Sequence, residues 1–216
     1  YVVCHKPAIV PDNAFLKPIQ VGSALSDTHF EGMLRDDATE DNLSAKNDTY
    51  CELTAQYCIW RRLLEEKSDA PQLGQARAEE TQTQPQKARY IGFQHYRRYF
   101  SFNRPVIPLP DGSLSKPDRR ICPNTELDSI TCDLEPYGLT EPVMERVIRG
   151  ADILTVLRER INTNVYRQYV QFHKKEPLMQ VIRILRDKYP DYEDAAKRYL
   201  GSKEIYYMNM FIMKEE

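Results

Sequence analysis

Residues 90–100 read YIGFQHYRRYF, and this stretch decides the fold that we expect for the chain. Its first part, Tyr90–Phe93, is apolar and aromatic, which predicts a core strand. The strand runs directly into a polar cluster that contains His95, Arg97 and Arg98. Because ligands of open α/β sheets bind outside the carboxyl ends of the strands, the cluster indicates an anion-binding site.

Two interpretations of this cluster are open. Adjacent arginines at a strand end can reach a diphosphate, and the alternation of an extended segment predicts His95 and Arg97 on one face, with Tyr96 and Arg98 on the other. Alternatively, the arginines neutralise surface carboxylates while the tyrosines pack beneath them. We favour the first interpretation, because two arginines beside a histidine are costly to bury without a ligand.

Two earlier segments predict strands of the same sheet. Tyr1–Cys4 is short, apolar and β-branched, and it ends at the polar residues His5 and Lys6. These two residues are candidates to contact a nucleotide base or phosphate, although a histidine at a strand end is more often structural. Ile19–Leu25 predicts the second strand.

A helix is predicted between the second strand and the strand that begins at Tyr90. Thr49–Glu52 matches a capping box, in which the Glu52 carboxylate is the return arm, and apolar periodicity then continues over 50–65. The order strand, loop, helix, strand is the start of a parallel α/β sheet.

The loop before this helix is unusually polar. Asp36, Asp37 and Asp41 could bind a divalent cation, or one of them could act as a general base. The alternative is a solvated acidic loop. Amide donors and a cation follow just ahead of the helix amino terminus, where anions are favoured; they are Asn42, Ser44, Lys46 and Asn47.

The remaining chain supplies further elements and two irregular segments. Residues 66–89 lack apolar periodicity and predict a mobile excursion, and the proline-rich segment 103–142 predicts an irregular, acceptor-facing region. A strand is predicted at 152–157, helices at 164–174, 177–189 and 191–200, and a buried strand at 205–213 with Asn209 as its polar interruption.

Composition limits the classes of function. The chain has 216 residues, enough for the single domain that we expect over 1–216, and 30 Lys and Arg stand against 32 Asp and Glu. A formal net charge of -2 disfavours a nucleic-acid partner. Five cysteines, an odd number, predict a reducing compartment and thus the cytoplasm. No leader or apolar span is expected, and no phosphate loop, zinc motif or serine hydrolase motif occurs.

Several of these segments together resemble one known family. It is the glycosyltransferase-like domain of bacterial capsule, exopolysaccharide and lipopolysaccharide gene clusters, long catalogued as a domain of unknown function. The segments that carry the resemblance are Val3–Pro7, Ile19–Gly22, Asp36–Asn47, Tyr50–Ala55, Tyr90–Phe100 and Asn209–Met213. The chain departs from the family at Ala38–Glu40, where the family has a Thr-Gly pair, and through the long insertion at 66–89.

The resemblance implies a fold, an activity and its partners. The fold is α/β, a single Rossmann-like, mostly parallel mixed sheet flanked by helices, as in nucleotide-sugar transferases of the GT-A type. The activity is transfer of a hexose, of the galactose type or similar, from a nucleoside diphosphate sugar, expected to be UDP-linked, to a growing glycan or lipid-linked acceptor. The location is then cytoplasmic, at the inner face of the plasma membrane if flanking segments dock there.

The resemblance also directs the assignment of site residues. Enzymes of this fold usually hold a metal with Asp-x-Asp after the strand that here ends in His95–Arg98, so we hypothesise that arginine replaces the metal and that no cofactor is required. Mn or Mg, held by Asp36 and Asp37, is the alternative. The predicted catalytic residues are Asp36, Asp37 and His95. The predicted donor-binding residues are His5, Lys6, Asp41, Asn42, Lys46, Asn47, Arg97, Arg98 and, by analogy, Asn209.

Two other functions compete with this one. A non-catalytic module could bind a nucleotide sugar or carbohydrate with the same fold. A nucleic-acid binder could use the aromatic and basic run at 95–100, but one short cluster in an acidic chain offers few phosphate contacts.

Overall fold

The computed structural model describes residues 1–10, 12–69, 89–103, 120–121 and 135–215. The chain divides into two compact units, one formed by Tyr1–Thr155 with Asn209–Glu216 and the other by Val156–Met208. The single functional domain expected over 1–216 stays a prediction.

The first unit is built on a mixed sheet that has six strands within the described residues. In order across the sheet they are β3 (Leu34–Arg35), β2 (Pro18–Gln20), β1 (Val2–Cys4), β4 (Tyr90–His95), β10 (Phe211–Lys214) and β7 (Ile153–Thr155). The pairs β3–β2, β2–β1 and β1–β4 are parallel, whereas β10 is antiparallel to both neighbours. This confirms the predicted α/β fold with a mostly parallel mixed sheet.

Two short antiparallel pairs lie outside this sheet. In the first unit, β5 (Tyr99–Phe100) pairs with β6 (Arg120–Ile121). In the second unit, β8 (Glu159–Arg160) pairs with β9 (Glu204–Ile205).

The helices divide between the two units. The first unit contains α1 (Asn47–Tyr50), α2 (Leu53–Asp69) and α3 (Glu141–Ile148), and the second contains α4 (Val165–Phe172), α5 (Lys175–Lys188) and α6 (Glu193–Gly201). Short 3-10 turns occur at Ser23–Leu25, Ser44–Lys46, Glu135–Tyr137 and Pro190–Tyr192. Asn164 caps α4, because its side-chain oxygen accepts a hydrogen bond from the Arg167 backbone N–H.

The sheet is buried on both faces around β1. Val3 packs with Ala55 and Ile59 of α2, whose spacing of four residues places them on one side of the helix. Val2 points to the opposite face, where it shares a cluster with Met144 of α3. Burial on both faces explains why β1 is apolar without a break.

The predicted helix over 50–65 is wrong at its start. Cys51 has a backbone φ of 47°, a conformation that L-residues rarely adopt, and it separates α1 from α2. The predicted capping box is therefore not formed: Thr49 lies inside α1, and the Glu52 carboxylate faces another element. Helix α2 also extends past Glu65 to Asp69, into the predicted excursion, of which 70–88 falls outside the described residues.

Two predicted strands are interrupted by a residue with a positive backbone φ. After Gln20, Gly22 adopts a φ of 68° and the chain enters a 3-10 turn instead of continuing as a strand to Leu25. Met208 has a φ of 73°, so the apolar run at 205–213 is divided between β9 and β10. The strand near 153 and the helices α4, α5 and α6 are confirmed, while most of 103–142 lies outside the described residues.

Among the residues that the structure describes, no helix is both long enough and apolar enough to cross a membrane.

Candidate functional site

The candidate site lies at the sheet edge where the parallel strands end. His5 and Lys6 follow β1, and His95 is the last residue of the neighbouring strand β4. Asp36 follows β3 at the same edge. In open α/β sheets this edge is where ligands bind.

The chain reverses direction after His95. The His95 backbone N–H donates to the Arg98 carbonyl over 3.1 Å, and the Arg98 N–H donates back to the His95 carbonyl over 3.0 Å. Residues that face each other in this way share one face, so His95 and Arg98 lie together with Arg97 at the tip. The prediction that His95 shares a face with Arg97 is wrong, because the segment is a tight turn and not an extended strand.

This turn, His95–Arg98, is called the cationic hairpin below. Tyr96 anchors it: its side chain is buried, and its backbone N–H donates to the Val3 carbonyl over 3.1 Å. The Arg97 guanidinium lies 5.3 Å from the centre of the Tyr96 ring, and the His5 ring contacts the same tyrosine edge-on at 5.2 Å. Within the described ranges, neither Arg97 nor Arg98 forms an ion pair with a carboxylate.

The surroundings of His95 favour its neutral form. Burial lowers its pKa from the ordinary 6.5, Glu52 acts in the opposite direction, and Arg98, Arg97 and His5 lower it further. The side chain is 16% exposed, and its Nδ1 lies 3.3 Å from Oε1 of Glu52. A neutral histidine beside a carboxylate can accept a proton at its other nitrogen.

Asp36 is fully buried. Its Oδ2 accepts a hydrogen bond from the Gly22 N–H at 2.9 Å, and its Oδ1 accepts from the Ser23 N–H at 3.0 Å and from the Ser44 hydroxyl at 2.5 Å. These contacts hold the turn after β2 and leave the carboxylate no exposed surface. The structure thus places Asp36 as an internal anchor, and it does not support the solvated loop at this position.

The other two aspartates are also partnered. Asp37 accepts two hydrogen bonds from Arg35, at 2.8 and 2.5 Å. Asp41 accepts from the Tyr57 hydroxyl at 2.8 Å and lies 3.5 Å from Nε of Arg61. The predicted catalytic role of Asp37 and the donor-binding role of Asp41 are untested and stay predictions.

The amides after the aspartates shape the chain. The Asn42 side chain donates to the Thr39 carbonyl and accepts from the Ser44 backbone N–H, which closes a local turn. The Asn47 side-chain amide donates to the Cys51 carbonyl at 2.9 Å and to the Thr54 hydroxyl at 3.0 Å. Their predicted donor-binding roles stay predictions.

Lys46 and Asn209 are exposed. Lys46 ends the 3-10 turn that leads into α1. Asn209 stands two residues before Phe211, which pairs with Phe93, so the antiparallel register puts Asn209 near the edge where β4 ends. The predicted donor-binding roles of Lys46 and Asn209 stay predictions.

Sequence reasoning missed the position of Glu52. The capping-box match gave this carboxylate another partner, and the pairing with His95 depends on the kink at Cys51, for which the sequence carries no turn signal. Ser44 and Gly22 were likewise not recognised as partners of Asp36. Gly22, as a glycine that favours a turn, is the one sequence feature that could have indicated the contact with Asp36.

Across the described residues, no group of three or more His, Cys, Asp or Glu side chains is placed to hold a metal ion. A cavity of about 170 Å³ lies elsewhere, between the sheet and α3, and its lining includes Phe93, Met144 and Ile148 but none of the predicted site residues.

Comparisons with known proteins identify the family and the fold of the chain. The family model described as "Domain of unknown function (DUF4422)" matches residues 1–72 and 83–216, and the gap falls inside the predicted insertion at 66–89. No curated protein matches. Among solved structures, the apo structure of WbbM, a bifunctional glycosyltransferase, is similar with a TM-score of 0.68 and 28% identity over all of this chain. The chain spans only 33% of the WbbM chain.

Proposed function

We infer a function from two findings: the chain belongs to the DUF4422 family, and it shares its fold with a glycosyltransferase. We propose that it is a glycosyltransferase domain. It transfers a hexose from a nucleoside diphosphate sugar, UDP-linked, to a growing bacterial surface polysaccharide or to a lipid-linked oligosaccharide. The reaction takes place in the cytoplasm, at the inner face of the plasma membrane.

The observation that carries the proposal is the cationic hairpin at the carboxyl edge of the sheet. Arg97 is exposed and Arg98 is half-buried, and no carboxylate among the described residues pairs with either. A guanidinium binds phosphate oxygens in a bidentate manner, so two of them match the charge of a diphosphate. Tyr96 fixes the hairpin to β1 and thereby keeps both arginines at the edge.

The acidic loop supports the same assignment by elimination. The backbone N–H groups of Gly22 and Ser23 are already occupied by Asp36, and the Ala24 N–H donates to the Ser44 hydroxyl. This turn therefore has few donors left for a phosphate. The diphosphate of the donor is assigned to the hairpin, with His5 and Lys6 beside it.

We further propose that the arginines, and not a metal ion, neutralise the departing diphosphate. Asp37 is engaged by Arg35, and Asp36 by three donors. A cation bound there would have to displace these partners. Turnover that is lost with EDTA and restored with manganese would contradict this part of the proposal.

Calorimetric titration with UDP and with UDP-galactose, in EDTA and again in manganese, tests the function. We expect binding in EDTA that falls roughly 100-fold in the Arg97→Ala, Arg98→Ala variant, because a hydrogen bond to a charged group contributes about 1.5–3 kcal/mol. The control is Arg183→Ala in α5, an exposed arginine of the second unit, which should leave the affinity unchanged. Absence of binding to the wild-type chain in both conditions would overturn the proposal.

The second candidate is a binding module without catalysis. It agrees with an acidic loop in which Asp36, Asp37 and Asp41 all have partners within the protein. Release of UDP from UDP-galactose separates the two functions. A chain that binds UDP-galactose tightly but never releases UDP, with water or sugar acceptors, is the binding module.

A further inference from the structure

One contact at the candidate site, between Glu52 and His95, has no role in the function proposed above. Oε1 of Glu52 lies 3.3 Å from Nδ1 of His95, and the two side chains are 36% and 16% exposed. The groups around the imidazole are otherwise basic: Arg98 and Arg97 on its own hairpin, and His5 from the end of β1. Glu52, in the turn just before α2, is thus the carboxylate that faces this histidine.

An unusual backbone conformation delivers Glu52 to this position. Cys51 has φ 47° and ψ -126°, which is strained for a residue with a side chain. The kink ends α1, and α2 begins at Leu53. Without it, one continuous helix would carry the Glu52 side chain in a different direction. Strain of this kind persists only where surrounding contacts hold it.

Those contacts are present around the Cys51 carbonyl. It accepts hydrogen bonds from the Asn47 side-chain amide at 2.9 Å and from the Thr54 hydroxyl at 3.0 Å. Asn47 in turn packs against Gly22, where an added Cβ would lie 3.2 Å from the Asn47 side-chain oxygen. Gly22 is fixed by the buried Asp36. The contacts therefore continue from the buried carboxylate to the kink that orients Glu52.

We propose that Glu52 is the positioning residue of a general base, His95. The carboxylate, 3.3 Å from Nδ1, favours the tautomer that carries its proton on Nδ1. This tautomer leaves the lone pair of Nε2, on the opposite side of the ring, for the acceptor hydroxyl. This proposal rests on the glycosyltransferase function proposed above, and it replaces Asp36 and Asp37 in the role of base.

The transfer step balances with these groups. The acceptor oxygen bonds to the anomeric carbon of the donor while its proton passes to Nε2 of His95. The bond from the anomeric carbon to the diphosphate oxygen breaks, and its electron pair leaves with the diphosphate beside Arg97 and Arg98. Glu52 stabilises the imidazolium that forms. Because the base deprotonates the acceptor hydroxyl for a direct displacement, the configuration at the anomeric carbon is inverted.

Nuclear magnetic resonance of the histidine side chains tests the positioning without any substrate. In the wild-type chain we expect neutral His95, assigned by comparison with His95→Gln, to carry its proton on Nδ1. In Glu52→Gln the titration midpoint of His95 should move to lower pH, because the carboxylate that favours the protonated form is gone. Glu65→Gln, an exposed carboxylate on α2, is the control. An Nε2–H tautomer in the wild type, or an unchanged midpoint in Glu52→Gln, overturns the proposal.

Kinetics test the catalytic consequence. With UDP-galactose as donor and a nitrophenyl galactoside as acceptor, we expect kcat to fall about 100-fold in His95→Gln, a typical contribution of a general base. Glu52→Gln should lower kcat with little change in the KM for the donor. The double variant should be no slower than His95→Gln, since residues that act as a unit are not additive. Additive losses, or wild-type kcat in Glu52→Gln with a native urea midpoint, would overturn the proposal.

The two proposals fail in distinguishable ways. If the wild-type chain binds no UDP and releases none from UDP-galactose, the proposed function is wrong, while the tautomer and the midpoint of His95 still decide the role of Glu52. If the wild type turns over and Glu52→Gln matches it, the function stands and the positioning role is wrong.

Discussion

The acidic loop at 36–42 and the cationic hairpin at His95–Arg98 both place charged side chains at the same sheet edge, yet they differ in where those charges are satisfied. In the loop, Asp36, Asp37 and Asp41 all have protein partners. In the hairpin, the described residues provide no carboxylate for Arg97 or Arg98. A charge that the fold already neutralises supports the structure, whereas a solvated charge at a ligand edge with no carboxylate partner among the described residues is available to a ligand.

The largest expected effect concerns stability within the loop. Asp36→Ala leaves the N–H groups of Gly22 and Ser23 and the Ser44 hydroxyl without their acceptor, and each unsatisfied group costs about 1–3 kcal/mol, so we expect a loss of roughly 3 kcal/mol or more. Urea unfolding followed by circular dichroism measures it. Asp37→Ala, the adjacent half-buried carboxylate, should change stability far less. Equal losses in the two variants would break the distinction between anchor and surface charge.

A smaller loss of stability is expected at the turn that Asp36 holds. Gly22→Ala places a side chain at φ 68°, which costs about 1–2 kcal/mol, and its Cβ would lie 3.2 Å from the Asn47 side chain. Gly32→Ala is a matched control, because Gly32 has φ 73° and no atom within 4 Å of an added Cβ. The difference between the two variants measures the contact with Asn47. If the variants unfold at the same urea concentration, that contact does not support the kink at Cys51.

The pH dependence of stability should report the hairpin. Because burial lowers the pKa of folded His95 below 6.5, the unfolded chain binds more protons once the pH falls through 6.5. His95 then contributes stability that is fully present above that pH and is lost as the pH falls toward the lowered folded value. His5, whose pKa is also lowered by burial, adds to the same trend.

Urea unfolding at pH 7.5 and pH 5.5 measures this loss. His95→Gln should reduce it, whereas His29→Gln, an exposed residue, should not. A pH slope that is identical in the wild type and in His95→Gln would show that His95 stays solvated.

The smallest effect on stability is expected in the hairpin arginines. The double variant Arg97→Ala, Arg98→Ala removes charges that pair with no carboxylate among the described residues. The free energy of unfolding should therefore change by less than about 0.5 kcal/mol, even though the affinity for UDP falls. Thermal unfolding measures it. A large loss of stability would mean that the arginines are structural, as the alternative interpretation of the sequence holds.

Much of the fold could be predicted because it depends on local periodicity. The apolar run at Val2–Cys4, the strand at Tyr90–His95 and the helices α4, α5 and α6 were all visible as patterns of spacing. The errors occur at Gly22, Cys51 and Met208, where one residue with a positive φ ends an element. Such a conformation is set by tertiary contacts of the surrounding residues. At Cys51 and Met208 the residue itself is not one that favours turns, so the sequence carried no indication of it.

The sequence by itself determined that an α/β sheet forms and that a histidine and two arginines stand where one of its strands ends, because periodicity and strand order are local properties. Only the tertiary structure decided which charges are satisfied within the protein. Asp36 accepts hydrogen bonds from Gly22, Ser23 and Ser44, and Glu52, in the turn before α2, lies 3.3 Å from His95 at the end of β4. Glu52 and His95 in particular are distant in the chain, and tertiary packing brings them together.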